Sequence, residues 1–291
     1  MKIACLDIGG TSIKRLCVDA EKGMRINDYE PLGFDSAPTR AAEGFEAIKS
    51  AIYESISTLI DTYGCEAIAI SSAGNVDWDS GFITYATKTL PGFTGYDIVG
   101  DIKEKFHLPT RAINDAAAAL VAEHYAGNHK KEREAMLTIG TGLGSALING
   151  RALNASSIVD LNIGHYCYDE EGPLCTCGRR GCLELYASAT ALKKTSGTDD
   201  LEAVFNHYVT YHDAVESFIR AMVVAVKLAV DRGAQRIIVG GGVSQVSGWW
   251  GGFHCRFLCE ISAMLRRAQL GNRAGALGAA YAALNGKFKK Q

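Results

Sequence analysis

The densest chemistry in this 291-residue chain is one imidazole followed by three closely spaced thiols: His165, then Cys175-Thr176-Cys177-Gly178-Arg179-Arg180-Gly181-Cys182. Three thiolates and a histidine nitrogen form a donor set that suits tetrahedral Zn²⁺, and the glycines at 178 and 181 permit the tight turn such a site needs. Four protein ligands leave no open coordination position, so the metal is expected to be structural. Cys167 is a rival for the fourth place. The chain has nine cysteines, and an odd number without an export signal favours reduced thiols and a metal site over a disulfide framework. Cys255 and Cys259 read as small core residues on one helix.

A second group of residues could handle phosphate. Asp7-Ile8-Gly9-Gly10-Thr11-Ser12-Ile13-Lys14 places glycines where backbone N–H groups can approach phosphate oxygens. Thr11 and Ser12 add hydroxyls, Lys14 adds charge, and Asp7 could hold Mg²⁺ directly or through water. The segment lacks the P-loop and Rossmann spacings, and an ordinary glycine hairpin is the competing reading. A second glycine turn, Gly140-Thr141-Gly142-Leu143-Gly144, tips the balance towards phosphate, because two such turns can clamp one polyphosphate. A third, Gly240-Gly241-Gly242, follows an apolar strand. Asn114-Asp115 opens an alanine-rich stretch, where a carboxylate is either a helix cap or a base that takes a proton from a hydroxyl oriented by the asparagine.

These residues need a scaffold, and the apolar pattern supplies one. Lys2 to Ile8 and Ile13 to Val18 read as a hairpin around the first glycine turn, and Ala135 to Ile139 with Ala146 to Asn149 as another around the second. Leu6, Ile8, Gly9 and Leu16 align with Leu137, Ile139, Gly140 and Leu147, which suggests a duplicated domain. Helices are expected at Ala41 to Tyr63, Asp115 to Tyr125, Ala214 to Arg232 and Ala274 to Leu284, and strands at Ala67 to Ser71 and Arg236 to Val239. Helix and strand in alternation give α/β layers. The repeat divides the chain into residues 1–113 with the first phosphate hairpin, 114–270 with the zinc cluster and second phosphate turn, and 271–291, a C-terminal helix packing back on the first domain.

Thirty basic against 32 acidic residues give a net charge of −2, which argues against a nucleic-acid or anionic-membrane binder. The longest strongly apolar stretch, Ile219 to Val230, is interrupted by Arg220 and Lys227 and is shorter than the roughly 20 residues of a membrane span. A cytoplasmic protein is expected. Trp249-Trp250 could stack an adenine or pack a loop on the core. His124, His129, His207 and His212 read as surface or helix residues, and Asn154-Ala155-Ser156 as a glycosylation acceptor without meaning in the cytoplasm.

Taken together, these motifs resemble the ROK family of bacterial sugar kinases and related repressors. The resemblance runs from Asp7-Ile8-Gly9-Gly10-Thr11 through Leu90-Pro91-Gly92, Asn114-Asp115-Ala116, Gly140-Thr141-Gly142, Gly164-His165, Cys175-Thr176-Cys177-Gly178, Gly181-Cys182-Leu183-Glu184 and Gly240-Gly241-Gly242 to the stretch Ala274 to Ala280. It implies an actin-like (ribonuclease H-like) fold with two α/β domains around a cleft, an ATP-dependent hexose kinase of the glucokinase type, and Mg²⁺ and structural Zn²⁺ as cofactors. Asp115 is then the catalytic base. Asn114, His165 and Glu184 bind sugar, and His165, Cys175, Cys177 and Cys182 bind zinc. The glycine turns, with Gly241 and Gly242, carry the nucleotide. A homodimer is common in the family. Two departures concern the sugar: Asn162 stands where the family has a sugar-binding glutamate, and Thr89 where asparagine precedes Leu-Pro-Gly. Ser145-Ala146, where glycine is usual, is expected to narrow the approach to ATP. N-acetylmannosamine kinase is the alternative activity. A sugar-responsive repressor lacks its recognition helix here, and a catalytically impaired sugar-binding protein is the third reading.

Overall fold

Strands come first in both halves of the chain, and in both the first two form an antiparallel hairpin. The computed structural model describes residues 1–127, 133–150, 153–154, 156–256 and 259–285. It divides into two compact units. Unit 1 comprises Met1–Lys130, Arg151–Ile158 and Arg273–Gln291, and unit 2 comprises Lys131–Gly150 and Val159–Asn272.

In unit 1, β1 (Lys2–Ile8) and β2 (Ser12–Asp19) make the hairpin, with Ile8 opposite Ile13 and Asp7 opposite Lys14. Next come β3 (Glu30–Pro38), α1 (Phe45–Tyr63), β4 (Ala67–Ser72), a small hairpin of β5 (Asn75–Val76) and β6 (Ile83–Tyr85), α2 (Ile98–Phe106), β7 (Thr110–Asn114) and α3 (Asp115–Ala126). The sheet order is β3-β2-β1-β4-β7, with β4 parallel to both β1 and β7. Every residue of β4 is buried, as parallel strands covered on both faces require. Helix α1 forms because Ile48, Ile52, Ile56 and Leu59 recur every three or four residues and bury together with Leu6, Ile8 and Ile70. Gly64, at φ +68°, ends it in the left-handed region. The expected start at Ala41 is a separate 3₁₀ turn, cut off by Gly44 at φ +95°.

Unit 2 repeats the plan. Its strands are β8 (Arg133–Ile139), β9 (Leu143–Asn149), β10 (Ile158–Asp160), β11 (Arg236–Gly240) and β12 (Leu265–Arg267), ordered β10-β9-β8-β11-β12. Its helices are α4 (Ala189–Ser196), α5 (Leu201–Asn206), α6 (His212–Asp231), α7 (Gly242–Gln245), α8 (Trp249–His254) and α9 (Cys259–Met264). The core centres on α6, whose Phe218, Ile219, Met222 and Val226 meet Leu137, Ile139 and Val239.

Helix α10 (Ala274–Asn285) packs within unit 1 against α3, β4 and β1. The crossing with α3 is close enough that a methyl on Gly278 would strike the Ala118 carbonyl oxygen. This packing explains why α3 belongs to unit 1, beyond the boundary at 113 that the sequence repeat suggests. Among the described residues, no helix is long and apolar enough to cross a membrane.

Candidate active site and metal cluster

The parallel pairing of β1, β4 and β7 brings polar residues together at the carboxyl ends of the three strands, the edge where open α/β sheets bind ligands. Asp7 lies opposite Ser71, and Ser72 opposite Asn114. The Ser71 hydroxyl donates to Asp7 Oδ1 at 2.7 Å, and Lys14 Nζ donates to Asp7 Oδ2 at 3.2 Å. Both carboxylate oxygens are thus held by neutral or cationic donors while the group stays partly exposed. The start of α10 comes against the same carboxylate, since a methyl on Gly275 would sit 2.8 Å from it.

The first glycine turn is closed by Gly9 N donating to Ser12 O at 3.0 Å, and is tied to β3 by Thr39, whose hydroxyl donates to Gly9 O at 2.6 Å. Thr89 packs on it, with its Cβ 3.1 Å from where a methyl on Gly10 would lie. Thr11 is exposed at the tip. Thr39 and Ser71 were not singled out in the sequence. Ser71 ends an apolar run and was legible only as strand, and nothing local marks Thr39.

Asn114 is the cap of α3, its Oδ1 accepting from Ala117 N at 3.0 Å. Its Nδ2 donates to Gly74 O and to Asp115 Oδ1, both at 2.9 Å. Asp115 Oδ1 also accepts from Ala116 N at 2.8 Å. Asparagine therefore does the capping through the usual i to i+3 bond, and Asp115 occupies the first helical position, half-buried, with one oxygen fixed by backbone and amide donors.

In unit 2, Gly140 N donates to Gly142 O at 3.0 Å and closes a turn one residue shorter than the first. Gly241, at φ +85°, lies against the end of β8: a side chain there would come within 2.5 Å of Ile139 O. This close approach brings Gly241 and Gly242 beside the turn that holds Thr141 and Gly142. A methyl on Gly142 would lie 2.6 Å from Glu184 Oε2, so the glycine leaves room for that carboxylate.

His165, Cys175, Cys177 and Cys182 converge, their four ligand atoms all within 4.8 Å of one another. Cys177 Sγ and Cys182 Sγ are 3.5 Å apart, and Cys175 Sγ is 3.8 Å from His165 Nδ1. A zinc ion with bonds of about 2.0–2.3 Å requires ligand edges of about 3.3–3.8 Å, so the cluster fits. Burial pushes the Cys175 and Cys182 thiols above their ordinary range, a cost that metal ligation would relieve by replacing the protons. The loop is shaped for this: Gly178, at φ +89°, follows a turn in which its N donates to Cys175 O at 2.9 Å. Gly181 has no room for a side chain against the Asp169 carbonyl. Cys167, the rival ligand, is exposed, and its sulfur faces Arg180 O at 3.9 Å, away from the cluster. Glu184 Oε1 is 3.5 Å from His165 Nδ1 and accepts from Cys175 Sγ at 3.0 Å.

Asn162 is exposed and left-handed, at φ +50°, immediately before the 3₁₀ turn Ile163–His165. Ser145 is buried, and its hydroxyl accepts from Ile163 N at 2.9 Å. It pins the His165 turn to β9 instead of narrowing the glycine turn as expected. Trp249 is 1% exposed among Phe205, Phe218 and Phe253, which removes it as an adenine platform. Cys255 is exposed after the end of α8, and Cys259 opens α9, so they do not share a core helix. His124 is buried within α3, whereas His207 and His212 are exposed. His129 and Ala155 lie outside the described residues.

Residues 3–285 match the ROK family. The N-acetylmannosamine kinase of Citrobacter koseri is 30% identical over 99% of this chain and 100% of its own length. A ROK family glucokinase from Streptomyces griseus, solved with glucose and AMPPNP, is similar with a TM-score of 0.80 at 26% identity, covering 96% of this chain and 98% of that one. The ROK hexokinase from Thermus thermophilus is similar with a TM-score of 0.69 at 27% identity, covering 97% and 98%.

Proposed function

The chain belongs to the ROK family, has its actin-like ATPase fold and is a sugar kinase; on that premise we propose that it transfers the γ-phosphate of ATP to a hydroxyl of N-acetylmannosamine. The observation that carries this reading is the set of Asp7 at the end of β1 and Asn114 and Asp115 at the junction of β7 and α3, on either side of β4, each oriented by named hydrogen bonds. The full-length similarity to N-acetylmannosamine kinases favours that acceptor. Glucose is the second reading, favoured by the likeness to the glucokinase solved with glucose.

Asp115 accepts the proton of the attacking hydroxyl. Ala116 N and Asn114 Nδ2 both donate to Asp115 Oδ1, which fixes the orientation of the carboxylate at the start of α3. Asp7 would supply the carboxylate for Mg²⁺, which would offset the negative charge of the phosphates. In unit 1 the backbone of Gly9 and Gly10, with Thr11, Ser12 and Lys14, offers donors to phosphate, and in unit 2 the backbone of Thr141, Gly142, Gly241 and Gly242 does so. His165 and Glu184 hold sugar hydroxyls. With Nδ1 turned to the Cys175 sulfur, His165 is assigned Nε2 for the substrate, and zinc in the cluster would fix the ring's orientation.

An assay of ADP release with ATP, Mg²⁺ and a panel of N-acetylmannosamine, glucose, mannose and N-acetylglucosamine tests the proposal. Highest kcat/KM with N-acetylmannosamine supports it, preference for glucose moves the assignment to the second reading, and no turnover with any sugar leaves a binding protein that has lost catalysis.

A further inference from the structure

Unit 1 holds a second group of sulfurs that plays no part in the kinase reading. Cys17 lies on β2, fully buried, and Cys65 occupies the corner between α1 and β4, 6% exposed. Their sulfurs are 3.7 Å apart, across 48 residues of sequence. We propose that Cys17 and Cys65 form a reversible disulfide when the protein meets hydrogen peroxide or a similar small hydroperoxide.

Three features favour this pair. The β2–β3 ladder shifts register between Leu16 and Cys17, with Gly33 of β3 at φ +63° as the extra residue, so the strand beside Cys17 is locally irregular. Cys65 directly follows Gly64, whose left-handed corner ends α1, so the partner sits on a turn and not within a ladder. A disulfide is about 2.05 Å long, and the sulfurs need only close the remaining gap of less than about 2 Å. Cys5 is the competing thiol, but it pairs with Leu16 while Cys17 pairs with Ala4, so Cys5 starts from the other face of β1 and its sulfur points to Ile3 O. The hydrogen bond from Cys65 holds the Cys17 thiol below its ordinary range against the opposing effect of burial, and the same bond, with burial, holds Cys65 above it.

The chemistry balances in two steps. Cys17 thiolate attacks one peroxide oxygen: an S–O bond forms, the O–O bond breaks, and hydroxide leaves and takes up a proton as water. Cys65 sulfur then attacks the Cys17 sulfenic sulfur: the S–S bond forms, the S–O bond breaks, and hydroxide leaves with the Cys65 proton as a second water. The bond would tie β2 to the entry of β4, the two strands that flank β1.

Trypsin separates the three thiols of unit 1, with Cys5 on residues 3–14, Cys17 on 16–22 and Cys65 on 50–88. The intact protein is treated with about 1 mM hydrogen peroxide, blocked with iodoacetamide, digested without reductant and analysed by mass spectrometry. The expected product is residues 16–22 linked to 50–88, lighter than the two free peptides by two hydrogens and abolished by dithiothreitol. Cys65→Ser should remove the link and leave a Cys17 sulfenic acid that dimedone traps. The wild-type digest decides even if that variant does not fold. Both peptides recovered fully blocked after oxidation of the exposed thiols, or Cys5 found linked in place of either partner, would overturn the proposal.

Discussion

The two units share a scaffold and differ in what they place at the ends of it. β3-β2-β1-β4-β7 in one corresponds strand for strand to β10-β9-β8-β11-β12 in the other. Position for position, however, the paired Asp7 and Lys14 of the first hairpin correspond to the paired Thr138 and Gly144 of the second. Unit 1 presents carboxylates at strand ends, and unit 2 presents glycines, thiols and an imidazole. The comparison teaches that the hairpin with parallel neighbours is a general holder for a backbone turn, while charge is added or omitted by single residues on it. It also shows where the sequence repeat breaks down. Leu16 faces Cys5, but the equivalent of Cys5, Met136, faces Ala146 and not Leu147, because the second turn is one residue shorter. Three of the four repeat matches, two before the turn and the glycine that opens it, survive. The fourth is out of register.

If unit 1 supplies the reacting carboxylate, the sharpest way to break the comparison is Asp115→Asn. Turnover should fall by about 10² to 10⁴, the usual contribution of a general base, while sugar binding by calorimetry stays within a few-fold. The amide keeps an oxygen to accept from Ala116 N, so α3 should remain folded. Wild-type turnover in this variant would reduce Asp115 to a residue of the helix start.

The counterpart in unit 2 is Cys177→Ser. Near-stoichiometric zinc is expected in wild-type protein purified without added metal, and the variant should lose most of it, with a melting temperature lower by several degrees, because ligation supplies folding free energy. A wild-type protein that is folded, active and free of zinc would end the metal assignment.

A third test concerns how unit 1 is held together. Gly278→Ala places a methyl against the Ala118 carbonyl, and overpacking of that kind costs typically about 1–3 kcal/mol. Thermal unfolding should shift down accordingly. Gly252→Ala in unit 2, where a methyl meets nothing within 4 Å, should not move it downward. Equal shifts would show that the close crossing of α10 and α3 is not a stability determinant.

Much of this was legible in the residues. The metal-binding reading of the cysteine loop comes from residue type alone, since few other uses explain three cysteines and two glycines so closely spaced, and a cap at Asn114 or Asp115 is read from their position before an alanine run, with Asn114 making the bond. What stayed hidden was set by tertiary context. β3 is an edge strand with mostly exposed residues and a proline at each end, so it shows no apolar alternation. Cys167 stayed a rival to His165 for the fourth place because only the backbone, which leaves its sulfur exposed beside Arg180 O, separates the two. Trp249 could not be told from a ligand platform because burial depends on α6 and α5, distant in sequence.

The smallest effect is expected at Asn162, which the resemblance read from the sequence sets at the position of a sugar-binding glutamate. The structure gives the asparagine a local reason: at φ +50° it occupies a region that asparagine tolerates better than other residues with side chains. Asn162→Glu therefore sets two effects against each other. A carboxylate makes stronger charge-assisted bonds to hydroxyl donors, roughly 1.5–3 kcal/mol each, so kcat/KM for glucose relative to N-acetylmannosamine should rise on the order of tenfold if residue 162 reaches the sugar. The left-handed backbone should meanwhile lower stability by about 1 kcal/mol, read as a drop of a few degrees in melting temperature at most. Asn162→Gly separates the two, because it removes the side chain without the backbone strain. It should retain stability and weaken sugar discrimination. An unchanged preference across the sugar panel in both variants would mean that the 160–165 loop acts only through His165, and that the departure at 162 follows from the turn and not from the substrate.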